Sequence, residues 1–289
     1  MSKQEFVVED TIQHSARQLA RTTLVGFGQA TAGLRMQPGF IIAGAQRCAT
    51  TSLFRMLARH PQVRPPILNK GIHFFDTADR FARGPRFYAG HFPLRRPLGH
   101  QRISGEASPY YLFHPLAMER IATVAPEAQV IVLLRDPVQR AFSAYKQEKG
   151  RGFETLPFEE ALDREEERLA GEEARIIADP GYQSFAHQHF GYVARGRYTH
   201  QLQRAERALA PGKLTILDAD AFFRPGLQGW DTLLERIGLE PWQPNEIIHS
   251  NARPGARMPE GLRKALGKTF ETENEALVKY LGYTPSWLQ

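Results

Sequence analysis

One stretch constrains this chain more than any other: Phe40-Ile41-Ile42-Ala43-Gly44-Ala45-Gln46-Arg47-Cys48-Ala49-Thr50-Thr51-Ser52-Leu53. A β-branched apolar run gives way to small and hydroxylated residues, after which Leu53, Met56 and Leu57 recur at helical spacing. The pattern reads as a buried strand, a tight loop and a helix. Such a loop turns backbone N–H groups and a helix N-terminus toward one point, which suits an anion and phosphate above all. The order of elements is that of a P-loop, but the chemistry differs. A Walker loop closes on Gly-Lys-[Ser/Thr]; here Ala49-Thr50-Thr51 fills that place and the cation sits earlier, at Arg47. The expected ligand is a phosphorylated nucleotide that is not handled as magnesium-ATP.

A second segment sharpens this expectation. Gln129-Val130-Ile131-Val132-Leu133-Leu134 is apolar after its first residue, as a central parallel strand covered on both faces should be. It runs into Arg135-Asp136-Pro137, and Pro137 suits the first position of a helix that carries Arg140, Ser143 and Tyr145. Arg135 at the strand's carboxyl end and Ser143 two turns into the helix can share a phosphate. Two anion sites at the carboxyl ends of parallel strands suggest a nucleotide phosphorylated at both 5′ and 3′ positions.

Both segments resemble those of sulfotransferases that use 3′-phosphoadenosine-5′-phosphosulfate (PAPS), in the branch of the heparan sulfate sulfotransferases and their bacterial relatives. Residues 42–53 are similar to that family's 5′-phosphosulfate loop. Residues 133–145 are similar to its 3′-phosphate segment. Three further matches follow in the family's order: His73-Phe74-Phe75-Asp76, Gly105-Glu106-Ala107-Ser108-Pro109-Tyr110-Tyr111, and Gly196-Arg197-Tyr198-Thr199-His200-Gln201-Leu202. The resemblance runs from about Gly39 to Trp287, and five ordered segments are far more specific than one loop. It implies an α/β, P-loop-like three-layer fold with a central parallel sheet and helices on both faces.

Composition is compatible. A chain of 289 residues can bury a substantial core as one α/β domain. The expected organisation is an N-terminal helical extension over 1–38 and a single domain over 39–289. The one cysteine, Cys48, excludes an internal disulfide framework and fits a reducing compartment. One Cys and scattered His show no metal-ligand spacing, so no metal site is expected. A net charge of +6 favours anionic partners. The basic residues are dispersed and carry no nucleic-acid signature, so a funnel for an anionic nucleotide or glycan is expected and nucleic acid is not. The first 38 residues hold no span long enough for a membrane and no signal-peptide core. A bacterial-type cytoplasmic enzyme is expected, with surface membrane association through that segment as the lesser reading. Oligomeric state is not legible.

Along the rest of the chain, residues 61–101, rich in Pro, Gly, Arg and aromatics, read as an extended loop or short-helix region over the sheet edge. The acidic run from Phe158 to Ile177 reads as a solvated helix face. Residues 182–209 read as two helices or a kinked one, Lys213–Leu217 as a strand, and 262–281 as an amphipathic helix.

Sulfuryl transfer, by analogy with loose phosphoryl transfer, rests on positioning and charge stabilisation. It needs a cation at the bridging oxygen, donors on the sulfuryl oxygens and a base for the acceptor proton, but no metal. The resemblance implies PAPS as donor and PAP as product. It places Gln46, Arg47, Cys48, Ala49, Thr50, Thr51 and Ser52 at the 5′ end and Arg135 and Ser143 at the 3′-phosphate. Arg253 and Arg257, in a late basic loop, are assigned loosely to the same phosphate. Arg47 takes the catalytic cation role, where the heparan sulfate enzymes usually have Lys.

The base is the harder assignment. One family carboxylate position, two residues before the His-Phe-Phe segment, is Gly71 here. The other matches Glu106, the expected base, although the Lys that often follows it is Ala107; its plain alternative is a structural salt bridge. His73, whose ordinary pKa lies near neutrality, is the second candidate base, and Lys70 is a possible sulfuryl contact. The acceptor is expected to be a hydroxyl of a glycan, glycolipid or small metabolite. A magnesium-dependent P-loop nucleotide kinase and a catalytically inactive nucleotide-binding protein of the same fold are the alternatives.

Overall fold

The computed structural model describes residues 23–95, 102–248 and 258–289. Residues 23–30 are helical (α1), and a 3-10 turn at Ala32–Leu34 leads into the first strand, β1 (Pro38–Gly44). Helix α2 (Thr50–Leu57) follows, then two short helices, α3 (Ala78–Ala82) and α4 (Gly84–Ala89), in the region read as an extended loop or short helices. Strand β2 (Ser104–Ala107), helix α5 (Ala117–Val124), strand β3 (Gln129–Leu134) and helix α6 (Pro137–Gly150) come next.

The acidic stretch folds as three short helices, α7 (Phe158–Asp163), α8 (Glu165–Leu169) and α9 (Glu172–Ala178). It is not wholly a solvated face: Glu165 is buried and accepts from the backbone N–H groups of Val193 and Ala194 at 2.7–2.9 Å. Residues 182–209 divide as expected, into α10 (Phe185–His189) and α11 (Tyr198–Ala208), with a 3-10 turn at Ala194–Gly196 between them. Strand β4 (Leu214–Asp218), α12 (Ala219–Phe222) and α13 (Trp230–Arg236) complete the central unit. The last amphipathic stretch breaks into α14 (Glu260–Thr269) and α15 (Glu271–Leu281).

The described strands form one parallel sheet in the order β2-β1-β3-β4. Every residue of β3 is buried, which is why its sequence is an unbroken apolar run rather than an alternating one. Gly105 is glycine because its neighbour leaves no room: a Cβ there would lie 2.5 Å from the Phe40 ring. β1 and β3 lie side by side, with Ile41 opposite Val130. The loops leaving their carboxyl ends are therefore neighbours, at the place where open parallel sheets bind ligands. Among the described residues no helix is long and apolar enough to cross a membrane.

Candidate active site

The loop after β1 is held in an unusual backbone. Arg47 and Ala49 both take left-handed φ values, 72° and 58°. Alternating hand of this kind gathers successive N–H groups into a concavity for an anion. α2 begins at once, and its first-turn residues Thr50, Thr51 and Ser52 are buried under the loop with their N–H groups at the positive end of the helix.

The loop after β3 reaches the same place. Asp136 caps α6 by accepting from Val138 N–H at 2.9 Å, and Pro137 fills the first position as its sequence requires. Ser143 and Gln147, one turn apart on α6, both meet Arg47. Its Nε donates to Ser143 Oγ at 2.9 Å and its Nη1 to Gln147 Oε1 at 2.6 Å. Arg135 donates from Nη1 to the Arg47 carbonyl at 3.4 Å and from Nη2 to Gln139 Oε1 at 2.7 Å. Its buried Nε has no partner among the described residues. The two expected anion sites are thus one continuous surface, and Arg47 extends toward the second.

The cation beside the 5′-type loop is Lys70. Its Nζ donates to Thr51 Oγ1 at 2.6 Å. Burial, with Arg55 nearby, pulls its ammonium down to about 8.

Three residues on, His73 has φ 51°, its N–H donates to Ser108 Oγ at 3.0 Å, and its Nδ1 lies 2.8 Å from Asp76 Oδ2. Burial lowers the His73 pKa, but the charge and hydrogen bond of Asp76, with Glu106 behind, outweigh it and the net shift is upward. The His73 side chain is 39% exposed while that of Asp76 is 1% exposed. This is an imidazole turned to the cavity with its carboxylate orienter behind it. Gly71 lies against this ring: a Cβ there would sit 3.4 Å from His73 Nε2 and 2.9 Å from the Ala107 carbonyl oxygen.

Glu106, the expected base, does not stand in the cavity. It is 0% exposed, and both oxygens are occupied. Oε1 accepts from Tyr88 at 3.0 Å and Tyr111 at 2.9 Å; Oε2 accepts from Ser108 Oγ at 2.6 Å and Ile72 N–H at 3.0 Å. Burial raises its pKa against the pull of Ser108, Ile72 and Tyr111. In this arrangement the carboxylate turns no free oxygen toward the cavity. It ties the 72–73 backbone to the end of β2 and so positions His73. Phe74, Phe75, Tyr88 and Tyr111 around it are core, whereas Tyr110 borders the cavity.

The cavity is about 1290 Å³, above the roughly 300–1,000 Å³ of a pocket for one drug-sized ligand. It brings together Gln46, Arg47, Cys48, Ala49, Thr50, Thr51, Ser52, Lys70, His73, Arg135 and Ser143. Arg253 and Arg257 lie outside the described residues. Cys48 borders the cavity, yet burial drives its thiol up to about 11, so it is an inert filler.

Sequence reasoning missed Gln147, Lys146, Arg151, His189, Asp220, Phe223 and Arg263, which complete the wall. It also missed Arg195, buried beside Tyr110 and Phe113, which donates to Gln46 Oε1 and so braces the loop from behind. Only the spacing of Gln147 from Ser143, one helical turn, was a signal for any of them. Among the described residues no cluster of three or more His, Cys, Asp or Glu could hold a metal ion.

No family model matches the chain. It is 27% identical over 267 residues to heparan sulfate glucosamine 3-O-sulfotransferase 6 of Mus musculus, covering 88% of this chain and 75% of the relative. A crystal structure of a sulfotransferase from Alicyclobacillus acidocaldarius superposes with TM-score 0.68 at 26% identity, covering 87% of this chain and 98% of the other. In sequence and in fold the chain is similar to sulfotransferases.

Two other relatives are longer. The membrane-associated sulfotransferase kil1 of Dictyostelium discoideum is 38% identical over 108 residues, 37% of this chain and 22% of the relative. The bifunctional heparan sulfate N-deacetylase/N-sulfotransferase 1 of Caenorhabditis elegans is 24% identical over 282 residues, covering 87% of this chain. The match spans only 22% and 31% of these two relatives' lengths. The cavity carries donors at two ends: the left-handed loop and Lys70 at one, and Arg47, Ser143 and the Arg135 guanidinium at the other.

Proposed function

We propose that the chain is an enzyme that transfers a sulfuryl group from PAPS to an acceptor hydroxyl on a glycan, glycolipid or small metabolite. The observation that supports it most is the convergence of two anion-binding loops, from β1 and β3, on one cavity that also holds a paired imidazole. When bound, PAPS supplies the sulfuryl group on a phosphate leaving group. Arg135, Ser143 and Arg47 hold the nucleotide's 3′-phosphate, and the loop N–H groups with Thr50, Thr51 and Ser52 hold its 5′ end. Lys70, within reach of Thr51, places a cation where charge builds on the departing phosphate. His73 accepts the acceptor's proton at Nε2, with Nδ1 held by Asp76, an arrangement that fixes tautomer and direction. This reading replaces Glu106 with His73 as base and moves the catalytic cation from Arg47 to Lys70, leaving Arg47 with the 3′-phosphate. Residues 39–289 form the catalytic unit in this reading, with 1–38 as an extension.

Calorimetric titration with PAP, with and without magnesium and beside ATP, tests the cofactor. Micromolar PAP binding that ignores magnesium and collapses in Arg135→Ala is expected. Magnesium-dependent ATP binding with no response to PAP would overturn the reading.

A further inference from the structure

Charge in this chain is segregated. Between Asp10 and Glu106 the only carboxylates are Asp76 and Asp79, against fourteen Lys and Arg, while the whole chain carries only +6. Some of these cations belong to the cavity. Others do not, and they gather with exposed apolar side chains on a different part of the molecule. Leu24 and Phe27, three residues apart on α1 and so on one helix face, are 46% and 56% exposed; Leu34 is 67% and Leu94 46% exposed.

These side chains form one patch. Arg95 N–H donates to the Leu34 carbonyl at 2.8 Å, Leu94 bridges to Arg35, and the Arg35 guanidinium lies 5.7 Å from the Phe27 ring. Arg83 and Arg86, both exposed, bond Gln29 of α1 from the neighbouring segment, at 3.4 and 3.2 Å. Gly28 packs so tightly on the Gly90 backbone that α1 cannot turn its other side outward: a Cβ at 28 would be 2.4 Å from the Gly90 oxygen.

We propose that this face, built from residues 23–34 and 83–95, docks on an anionic lipid surface. Exposed Leu and Phe among arginines suit the boundary between headgroups and acyl chains, where apolar groups insert and guanidinium groups stay with phosphates. A soluble polyanion would use the arginines and gain nothing from four exposed apolar side chains. Leu34 and Leu94 lie where the chain enters the amino end of β1, and none of the four exposed apolar side chains lines the cavity. The inference does not depend on the reaction proposed for that cavity.

Co-sedimentation of the full chain with phosphatidylcholine vesicles, with and without phosphatidylglycerol, tests it. Binding is expected only with phosphatidylglycerol, weakening as salt rises. Phe27→Glu with Leu34→Glu should abolish it. Arg83→Ala with Arg86→Ala should weaken it on the order of tenfold or more, since each arginine near such a surface contributes a few-fold. An unchanged urea midpoint and slope in both variants certifies their folding. Three results would overturn the proposal: no binding above the phosphatidylcholine level, variants that sediment like the parent, or concentration-dependent dimerisation lost in the glutamate variant without any vesicle binding. The last would make the face a contact between copies of the chain.

Discussion

Arg47 and Ser143 stand 96 residues apart in sequence and 2.9 Å apart at Nε and Oγ. One comes from the loop after β1 and the other from the helix after β3. Their contact joins the two anion-binding loops into a single surface, and the following expectations start from it.

Removing the guanidinium should cost the site at its 3′ end. Hydrogen bonds to charged groups contribute about 1.5–3 kcal/mol each, so Arg47→Ala should weaken PAP binding roughly ten- to a hundredfold. Arg47→Lys keeps a charge but cannot span Ser143 and Gln147 together, and an intermediate loss is expected. Calorimetric titration of both variants checks the order.

Turnover should follow a bell in pH. His73 works as a base only when neutral. Its pKa is held above the ordinary 6.5, so activity climbs as pH rises through that raised value. Lys70 works only as a cation. Its pKa is lowered to about 8, so activity falls as pH rises through about 8. Asp76→Asn removes the carboxylate that raises His73 and should move the acid limb to lower pH. Lys70→Arg stays charged and should remove the alkaline limb. Profiles of kcat/KM against pH read both limbs.

Glu106→Gln should separate a positioning carboxylate from a base. A base variant would fold normally and lose about 10²–10⁴-fold in rate. Here the amide oxygen must replace a carboxylate that accepts four hydrogen bonds, and buried partners left unpaired cost about 1–3 kcal/mol each. A drop of that order in unfolding free energy, with PAP affinity retained in the folded protein, is expected from urea titration beside calorimetry. A variant of unchanged stability and abolished turnover would return Glu106 to the role of base.

Ala49→Gly should stabilise the protein. An alanine in the left-handed region bears about 1–2 kcal/mol of strain, and glycine's greater freedom in the unfolded chain offsets roughly 0.4–1 kcal/mol of its relief. A net gain of about 0.5–1 kcal/mol is expected, seen as a higher urea midpoint at unchanged slope.

Much of this was legible because the signals were local. The apolar run of β3, Pro137 at a helix start and the strand-to-loop change at Gly44 each state their own structure in a few residues. The sequence misled where a side chain's direction was set by distant partners. Glu106 follows a strand and precedes Ser-Pro, which reads as a site, but Tyr88 and Tyr111 close over it from other elements. Glu165 sits in an acidic run and reads as solvated, yet it satisfies N–H groups 28 and 29 residues away. Nothing local to Arg195 marks it as buried, and only the approach of Tyr110 and Phe113 shows why it is.

The space above residue 71 has a consequence for descent. A carboxylate cannot return to that position by one codon change, because even its Cβ would press on the Ala107 carbonyl, itself fixed where Ala107 N–H bonds the Lys70 carbonyl at 2.8 Å. The backbone would have to move before a side chain there could be selected. With this backbone, any new side chain facing the cavity beside His73 has to come from a position other than 71.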